Sequence, residues 1–162
     1  MKCLVFPYHD SSGSRHDQLV EQMPNLKNIF DKVISSVSAS TDNYSIEFLE
    51  ENCDYSIVDY QVADLINEIG KIRRELLACS LEYDCEHVMY CDGDRVLHWI
   101  ENHPDELGNC VNNIHISDFT IFGRTNRAWV SHPQTQCRTE SIINDLFNMK
   151  TGCNYDLLAC RS

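Results

Sequence analysis

The sequence is poor in positive charge: 13 lysine and arginine residues stand against 25 aspartate and glutamate residues, for a formal net charge of −12. Proteins that bind nucleic acid need a basic surface to meet the phosphate backbone, so this balance argues against such a partner. No apolar run approaches the roughly 20 residues that a membrane-spanning helix needs. The first apolar stretch is interrupted at Pro7, too soon for a signal peptide, and it predicts a first strand in a cytoplasmic protein.

The sequence also lacks the close cysteine and histidine pairs that are typical of zinc sites. Its nine cysteines include no Cys-x-x-Cys pair, and an odd number without a secretory signal argues against a disulfide framework. We therefore expect reduced thiols, several of them buried as small apolar side chains. A glycine-rich phosphate-binding loop of the Walker type is absent too, which disfavours a P-loop enzyme.

Short β-branched segments alternate with longer amphipathic segments along the sequence. The pattern predicts strands over residues 3–6, 32–38, 55–59, 87–91, 118–123 and 128–130. It predicts helices that begin after Ser14, cover 43–51, 61–81 and 95–101, and begin again at Pro133 to end near Gly152. Strands that alternate with helices indicate a three-layer α/β fold with a mostly parallel sheet. With 162 residues and no linker or repeat, we expect one domain.

The segment His87–Arg95 places two carboxylates directly after the fourth predicted strand. Asp92 and Asp94 lie one residue apart, where the strand ends and a helix begins. Ligands of open α/β sheets bind at the carboxyl ends of the strands, and Mg²⁺ shares its coordination between one or two carboxylates and substrate phosphates. The segment therefore predicts a site for a metal–diphosphate, with Arg95 close enough to meet phosphate charge. An ordinary Asp-Gly turn between strand and helix is the alternative.

Several segments carry a family resemblance. They are Ile69–Leu77, His87–Arg95, Leu97–Leu107, Gly123–Ala128 and Ser131–Gln136, and they extend over nearly the whole chain. Together with the order of strands and helices and the acidic end of the third strand, they look like a microbial subgroup of the GT-A-type glycosyltransferases, the nucleotide-diphospho-sugar transferases. The resemblance implies a Rossmann-like GT-A core, a single nucleotide-sugar-binding domain over residues 1–162, and transfer of a sugar from a nucleotide-diphospho-sugar to an acceptor hydroxyl.

The resemblance also implies roles for individual residues. The first carboxylate of the motif, Asp92, would meet the donor ribose or the metal, and the second, Asp94, would bind the Mn²⁺ or Mg²⁺ that bridges the phosphates. Asp59 would contact the nucleobase, although an aspartate there can also simply cap the following helix. Arg73 or Arg74, of which we favour Arg73, would face the diphosphate. The loop after the first strand would line the nucleotide pocket with Pro7, Tyr8, His9 and Asp10.

One part of the family pattern is missing from the sequence. Family members generally continue beyond the fifth strand into a portion that binds the acceptor and supplies the catalytic base, whereas this sequence ends soon after its last predicted helix. The acceptor and the catalytic base are therefore unassigned. The acceptor site is compact, or the chain is a shortened form, or a second copy or a partner subunit completes the site. Two other functions stay open: a non-catalytic module that binds a nucleotide or sugar nucleotide, and another metal-dependent phosphotransfer enzyme.

Overall fold

The computed structural model describes residues 1–60, 65–120, 122, 127 and 134–152, without the side chains of 59, 60, 65–68 and 136. The described strands are β1 (Lys2–Tyr8), β2 (Lys32–Ser38), β3 (Tyr55–Tyr60) and β4 (His87–Tyr90). The described helices are α1 (His16–Ile29), α2 (Asn43–Asn52), α3 (Leu65–Glu82), α4 (Gly93–Asn102), α5 (Pro104–Asn112) and α6 (Gln134–Thr151). A short 3₁₀ helix spans Ile114–Ile116. Among these residues, no helix is long and apolar enough to cross a membrane.

The four described strands form one parallel sheet in the order β3-β2-β1-β4. Cys3 of β1 lies opposite Lys32 of β2 on one side and Val88 of β4 on the other. Along the chain, successive strands are added outward from β1 to β3, and β4 then returns to the free side of β1. The strand order therefore reverses between β1 and β4, and an open α/β sheet forms a crevice for ligands at the carboxyl edge of such a point.

Alternate residues of β1 belong to two separate apolar clusters. Leu4 and Phe6 pack in a cluster that includes residues of α1, α2, α4 and α5, whereas Val5 packs with Ile72 and Leu76 of α3. Because successive side chains of a strand point to opposite faces of the sheet, helices cover both faces. The predicted α/β fold with a parallel sheet is confirmed, and it has three layers.

The chain divides into two compact units, Met1–Ile116 and Ser117–Ser162. The first unit contains the sheet and helices α1 to α5. In the second unit, helix α6 is followed by Gly152, which has a φ of +68° and whose N–H donates to the carbonyl of Asn148. This left-handed glycine is a common way to end a helix, and it confirms the predicted end. A single domain over residues 1–162 stays a prediction.

Two differences from the predicted elements lie between the fourth strand and α6. The strand predicted over 118–123 is wrong where the structure describes it, because Asp118–Thr120 form no strand and the side chain of Phe119 is 80% exposed. Helix α5 was not predicted, although Pro104 in its first turn, followed by two acidic residues, is a common way to begin a helix. The strand predicted over 128–130 lies outside the described residues.

Candidate functional site

An open pocket with a volume of about 490 Å³ lies at the carboxyl ends of β1 and β4. Small-molecule sites commonly have volumes of about 300–1,000 Å³. The lining residues come from the loop after β1, from α3 and from the start of α4, so the pocket occupies the point where the strand order reverses. Six residues that the sequence singles out line it: Pro7, His9, Asp10, Arg73, Asp92 and Asp94.

The other three predicted site residues lie elsewhere. Tyr8 is only 2% exposed and belongs to the core cluster with Leu4 and Phe6, where burial raises the pKa of its phenol to about 12. Arg95 lies on α4 beside Asp94, outside the pocket lining. Asp59 is near the end of β3, which is separated from β4 by the two strands β2 and β1, and the structure does not describe its side chain.

Gly93 allows the start of α4 to lie against the end of β1. A Cβ atom at this position would be 2.8 Å from the carbonyl oxygen of Pro7, 3.0 Å from Cδ2 of Tyr8 and 3.2 Å from Cδ2 of Phe6. The φ angle of Gly93 is not in the left-handed region. The glycine of the Asp-Gly-Asp motif is therefore required by close packing and not by a turn, and this packing holds both flanking carboxylates at the pocket.

Asp92 is held by a side-chain network that joins β4 to α3. The hydroxyl of Tyr90 donates to Asp92 Oδ1 at 2.7 Å, and Nε of Arg73 donates to the Tyr90 hydroxyl oxygen at 2.9 Å. The guanidinium of Arg73 also lies 5.3 Å from the centre of the Tyr90 ring, and its Nη2 is 3.8 Å from Asp92 Oδ1. Burial, reinforced by the bond to Asp92, raises the pKa of the Tyr90 phenol, so the hydroxyl remains a donor at neutral pH.

Asp94 is flanked by two guanidinium groups. Its Oδ2 lies 3.6 Å from Nη1 of Arg15 and 3.8 Å from Nε of Arg95. These distances are longer than those of hydrogen bonds, and the side chains of Arg15 and Asp94 are 46% and 44% exposed. Exposed pairs of this kind contribute only about 0–1 kcal/mol. Arg15 can therefore leave the carboxylate at little cost when a ligand enters.

Asp10 is the third carboxylate at the pocket, and its oxygens are engaged in shaping the loop after β1. Its Oδ2 accepts the N–H of Arg15 at 2.7 Å, and its Oδ1 accepts the hydroxyls of Ser12 at 2.9 Å and Ser14 at 3.4 Å. Burial alone would raise the pKa of Asp10, but these hydrogen bonds hold it below its ordinary value. The helix predicted to begin after Ser14, with Ser14 as its cap, instead has Arg15 at the cap position, and the Asp10 carboxylate accepts the N–H there.

The two carboxylates of the motif suit a hard divalent cation. Within the described residues, the contacts of the Asp92 side chain involve Oδ1 and those of the Asp94 side chain involve Oδ2, so one oxygen of each is uncommitted. No group of three or more histidine, cysteine, aspartate or glutamate side chains that could hold a metal is found in this part of the chain. Two carboxylates supplemented by phosphate oxygens and water are a usual environment for Mg²⁺, and oxygen ligands suit Mn²⁺ as well.

Sequence reasoning did not identify Arg15, Tyr90 or the packing role of Gly93. Arg15 meets a carboxylate that is far away along the chain, and Tyr90 lies inside the apolar run that predicts a strand over residues 87–91. A signal for Tyr90 was present, since it lies two residues before Asp92 and therefore on the same side of an extended chain.

The chain was compared with protein-family models, with curated proteins and with solved structures. No family model matches it, and neither the curated proteins nor the solved structures gave a significant match. The function is therefore inferred from the residues of the pocket.

Proposed function

We propose that the protein is a metal-dependent glycosyltransferase of the GT-A type that uses a nucleotide-diphospho-sugar donor. The observation that carries the proposal is the pairing of Asp92 and Asp94, each with an uncommitted oxygen, with Arg15 and Arg73 in one pocket at the carboxyl edge of the sheet. This combination offers oxygen ligands for a divalent cation and charge-assisted hydrogen bonds for the phosphates that the cation would bridge.

The arrangement of charge favours a diphosphate over a neutral ligand. The guanidinium groups of Arg15 and Arg73 line the pocket, and Arg95 lies beside it. The N-terminus of α4 adds a partial positive charge, because the side chain of its cap residue Asp92 makes no capping hydrogen bond and turns to Tyr90 instead. A phosphate group near the start of α4 would thus meet positive charge from both side chains and backbone.

The roles of the individual residues follow from these positions. Asp92 and Asp94 would hold Mn²⁺ or Mg²⁺, which when bound would act as a Lewis acid on the diphosphate leaving group. The guanidinium of Arg15 and the Nη2 group of Arg73 would turn from the carboxylates to the phosphates, because their half-exposed ion pairs contribute little free energy. Asp10 would keep the loop that carries His9 and Arg15 in place. The acceptor and the base that takes its proton are not assigned to any residue.

Calorimetric titration tests the proposal directly. UDP-glucose, GDP-mannose and related sugar nucleotides would be titrated with Mn²⁺ or with a chelator into the wild type, Asp94→Ala and a control, Asp105→Ala. Asp105 is a suitable control because, like Asp94, it lies in the first turn of a helix, but it is outside the pocket lining. We expect metal-dependent binding that Asp94→Ala weakens by at least the roughly 10–100-fold typical of residues that support a metal site, while Asp105→Ala binds normally.

Chromatographic analysis of the same mixtures separates the functional classes. A transferase should hydrolyse its donor slowly in the presence of metal, releasing the nucleoside diphosphate. Binding without any turnover, also when candidate acceptor sugars are supplied, would favour a non-catalytic binding module. Hydrolysis of simple phosphoesters would favour another phosphotransfer enzyme. Failure of every sugar nucleotide to bind would refute the proposal and leave Asp92 and Asp94 as residues of an ordinary helix start.

A further inference from the structure

The hydroxyl of Tyr90 is the only atom that connects Arg73 to Asp92 by hydrogen bonds among the described residues. It receives the Nε–H of Arg73 and donates to Asp92 Oδ1, whereas the direct approach of Arg73 Nη2 to the same oxygen is 3.8 Å. Without the hydroxyl, the arginine and the carboxylate would share a loose ion pair with no fixed geometry. With it, both side chains have a defined orientation on the wall of the pocket.

The network also determines which carboxylate oxygen is left for a ligand. The hydroxyl and the guanidinium both approach Oδ1, so the torsion of the Asp92 carboxylate is set with Oδ2 uncommitted. The ring of Tyr90 packs against the apolar cluster of β1, β2 and α3. The guanidinium carbon of Arg73 lies over the same ring, 5.3 Å from its centre, in a cation–π contact. A phenylalanine would keep the ring, its packing and its contact with the guanidinium, so Tyr90→Phe removes the two hydrogen bonds of the hydroxyl alone.

We infer that Tyr90 is a positioning residue of the donor site, orienting Asp92 toward the cation and Arg73 toward the diphosphate through its one hydroxyl group. This inference rests on the function proposed above. It goes further because Tyr90 is a strand residue outside the Asp-Gly-Asp motif and outside the pocket lining. Its hydroxyl would control the orientation of both Asp92, which would meet the metal, and Arg73, which would meet the phosphates. Residues that orient metal ligands in this way commonly change metal affinity by about 10–100-fold when they are replaced.

The test compares Tyr90→Phe with Tyr83→Phe. Tyr83 is a matched control, because its ring packs against the same apolar cluster but its hydroxyl meets the carbonyl of Asp54, away from the pocket. Titration of UDP or GDP in the presence of Mn²⁺ should show a dissociation constant raised about 10–100-fold in Tyr90→Phe and unchanged in Tyr83→Phe, with both variants as heat-stable as the wild type. In an Asp92→Asn background, adding Tyr90→Phe should cause a smaller loss than in the wild type, because contacting residues that act together are not additive and only the orientation of Arg73 is left to lose.

A second readout does not depend on any ligand. In the wild type, the Nε–H of Arg73 should give an NMR signal that is protected from solvent exchange, and Tyr90→Phe should abolish this protection while Tyr83→Phe retains it. Retained protection in Tyr90→Phe, or equal nucleotide affinity of Tyr90→Phe and the wild type, would overturn the inference while the proposed function stands. A wild type that binds no Mn²⁺–nucleotide would instead refute the proposed function, and the inference with it.

Discussion

Replacing Gly93 with alanine would add one methyl group where the start of α4 lies against the end of β1. The new Cβ would be 2.8 Å from the carbonyl oxygen of Pro7 and within 3.2 Å of two ring carbons. Those rings belong to Phe6 and Tyr8, which are 0% and 2% exposed, so neither can turn away into solvent. The helix would have to move by roughly half an ångström to restore ordinary contact distances, against a close-packed interior.

The expected cost follows from two opposing terms. Overpacking a well-packed site costs about 1–3 kcal/mol, because side chains and backbone must shift to admit the methyl group. Alanine in a helix is favoured over glycine by up to about 1 kcal/mol, and by less at the first helical position. The net result should be a loss of about 1–2 kcal/mol in the free energy of unfolding, which corresponds to a melting temperature lower by roughly 2–8 °C.

Urea denaturation followed by tryptophan fluorescence and circular dichroism would measure this difference, with Gly108→Ala as the control. Gly108 lies within α5, and a Cβ there meets nothing within 4 Å among the described residues, so alanine should stabilise the protein by about 0.5–1 kcal/mol. If Gly93→Ala lowers the free energy of unfolding and Gly108→Ala raises it, the close approach of α4 to β1 is supported. A Gly93→Ala protein as stable as the wild type would show that the reasoning about this contact is wrong.

Two further predictions concern ionisable groups near the pocket. The pKa of Asp10 is lowered in the folded protein, so its contribution to stability is present above the ordinary carboxyl pKa of about 3.9 and is lost as pH falls through the folded value. The wild type should therefore exceed Asp10→Asn in unfolding free energy by about 1–3 kcal/mol at pH 7, and in urea denaturation this difference should shrink as the pH falls below the ordinary carboxyl pKa. Burial raises the pKa of Cys91 to about 12, so its thiol should react with iodoacetamide at pH 8 far more slowly in the folded protein than in urea. Mass spectrometry of the labelled peptides would measure the rate at which Cys91 is alkylated. Equal rates in the folded protein and in urea would contradict the burial of this thiol.

The first four strands were predictable because their signals are local. The β-branched run of β2 and the apolar stripe of α3 each identify an element without reference to the rest of the chain. The run around Phe119 has a similar local pattern, but a strand needs a partner that lies elsewhere in the sequence, and Asp118–Thr120 do not pair. Helix α5 was not predictable in the same way, because a proline shortly after a helix commonly marks the end of that helix, whereas Pro104 also begins the next one.

The candidate site was predictable only where the chain itself brings residues together. The Asp-Gly-Asp motif after an apolar strand indicated Asp92 and Asp94 at the carboxyl edge of the sheet. The sequence does not predict which of the carboxylates keep an uncommitted oxygen, because this depends on contacts with residues that are distant in the sequence. Asp10 is surrounded by donors of its own loop, whereas the partners of the motif carboxylates come from α1 and α3 as well as from their own segment. The sequence does not show which of these three aspartates has an uncommitted oxygen, whereas the structure does.

The balance of charge in the pocket has a consequence for how the proposed ligands would enter. A divalent cation that arrived alone would meet the guanidinium groups of Arg15 and Arg73, and a diphosphate that arrived alone would meet the carboxylates of Asp92 and Asp94. Each ligand by itself would therefore be opposed by like charge at short range, where screening by salt is weak. Together they form a nearly neutral complex whose two parts match the two kinds of side chain, so that the arginines move to the phosphates as the cation takes the carboxylates. Binding of metal and nucleotide should for this reason be strongly coupled, with neither dissociation constant meaningful unless the concentration of the other ligand is stated.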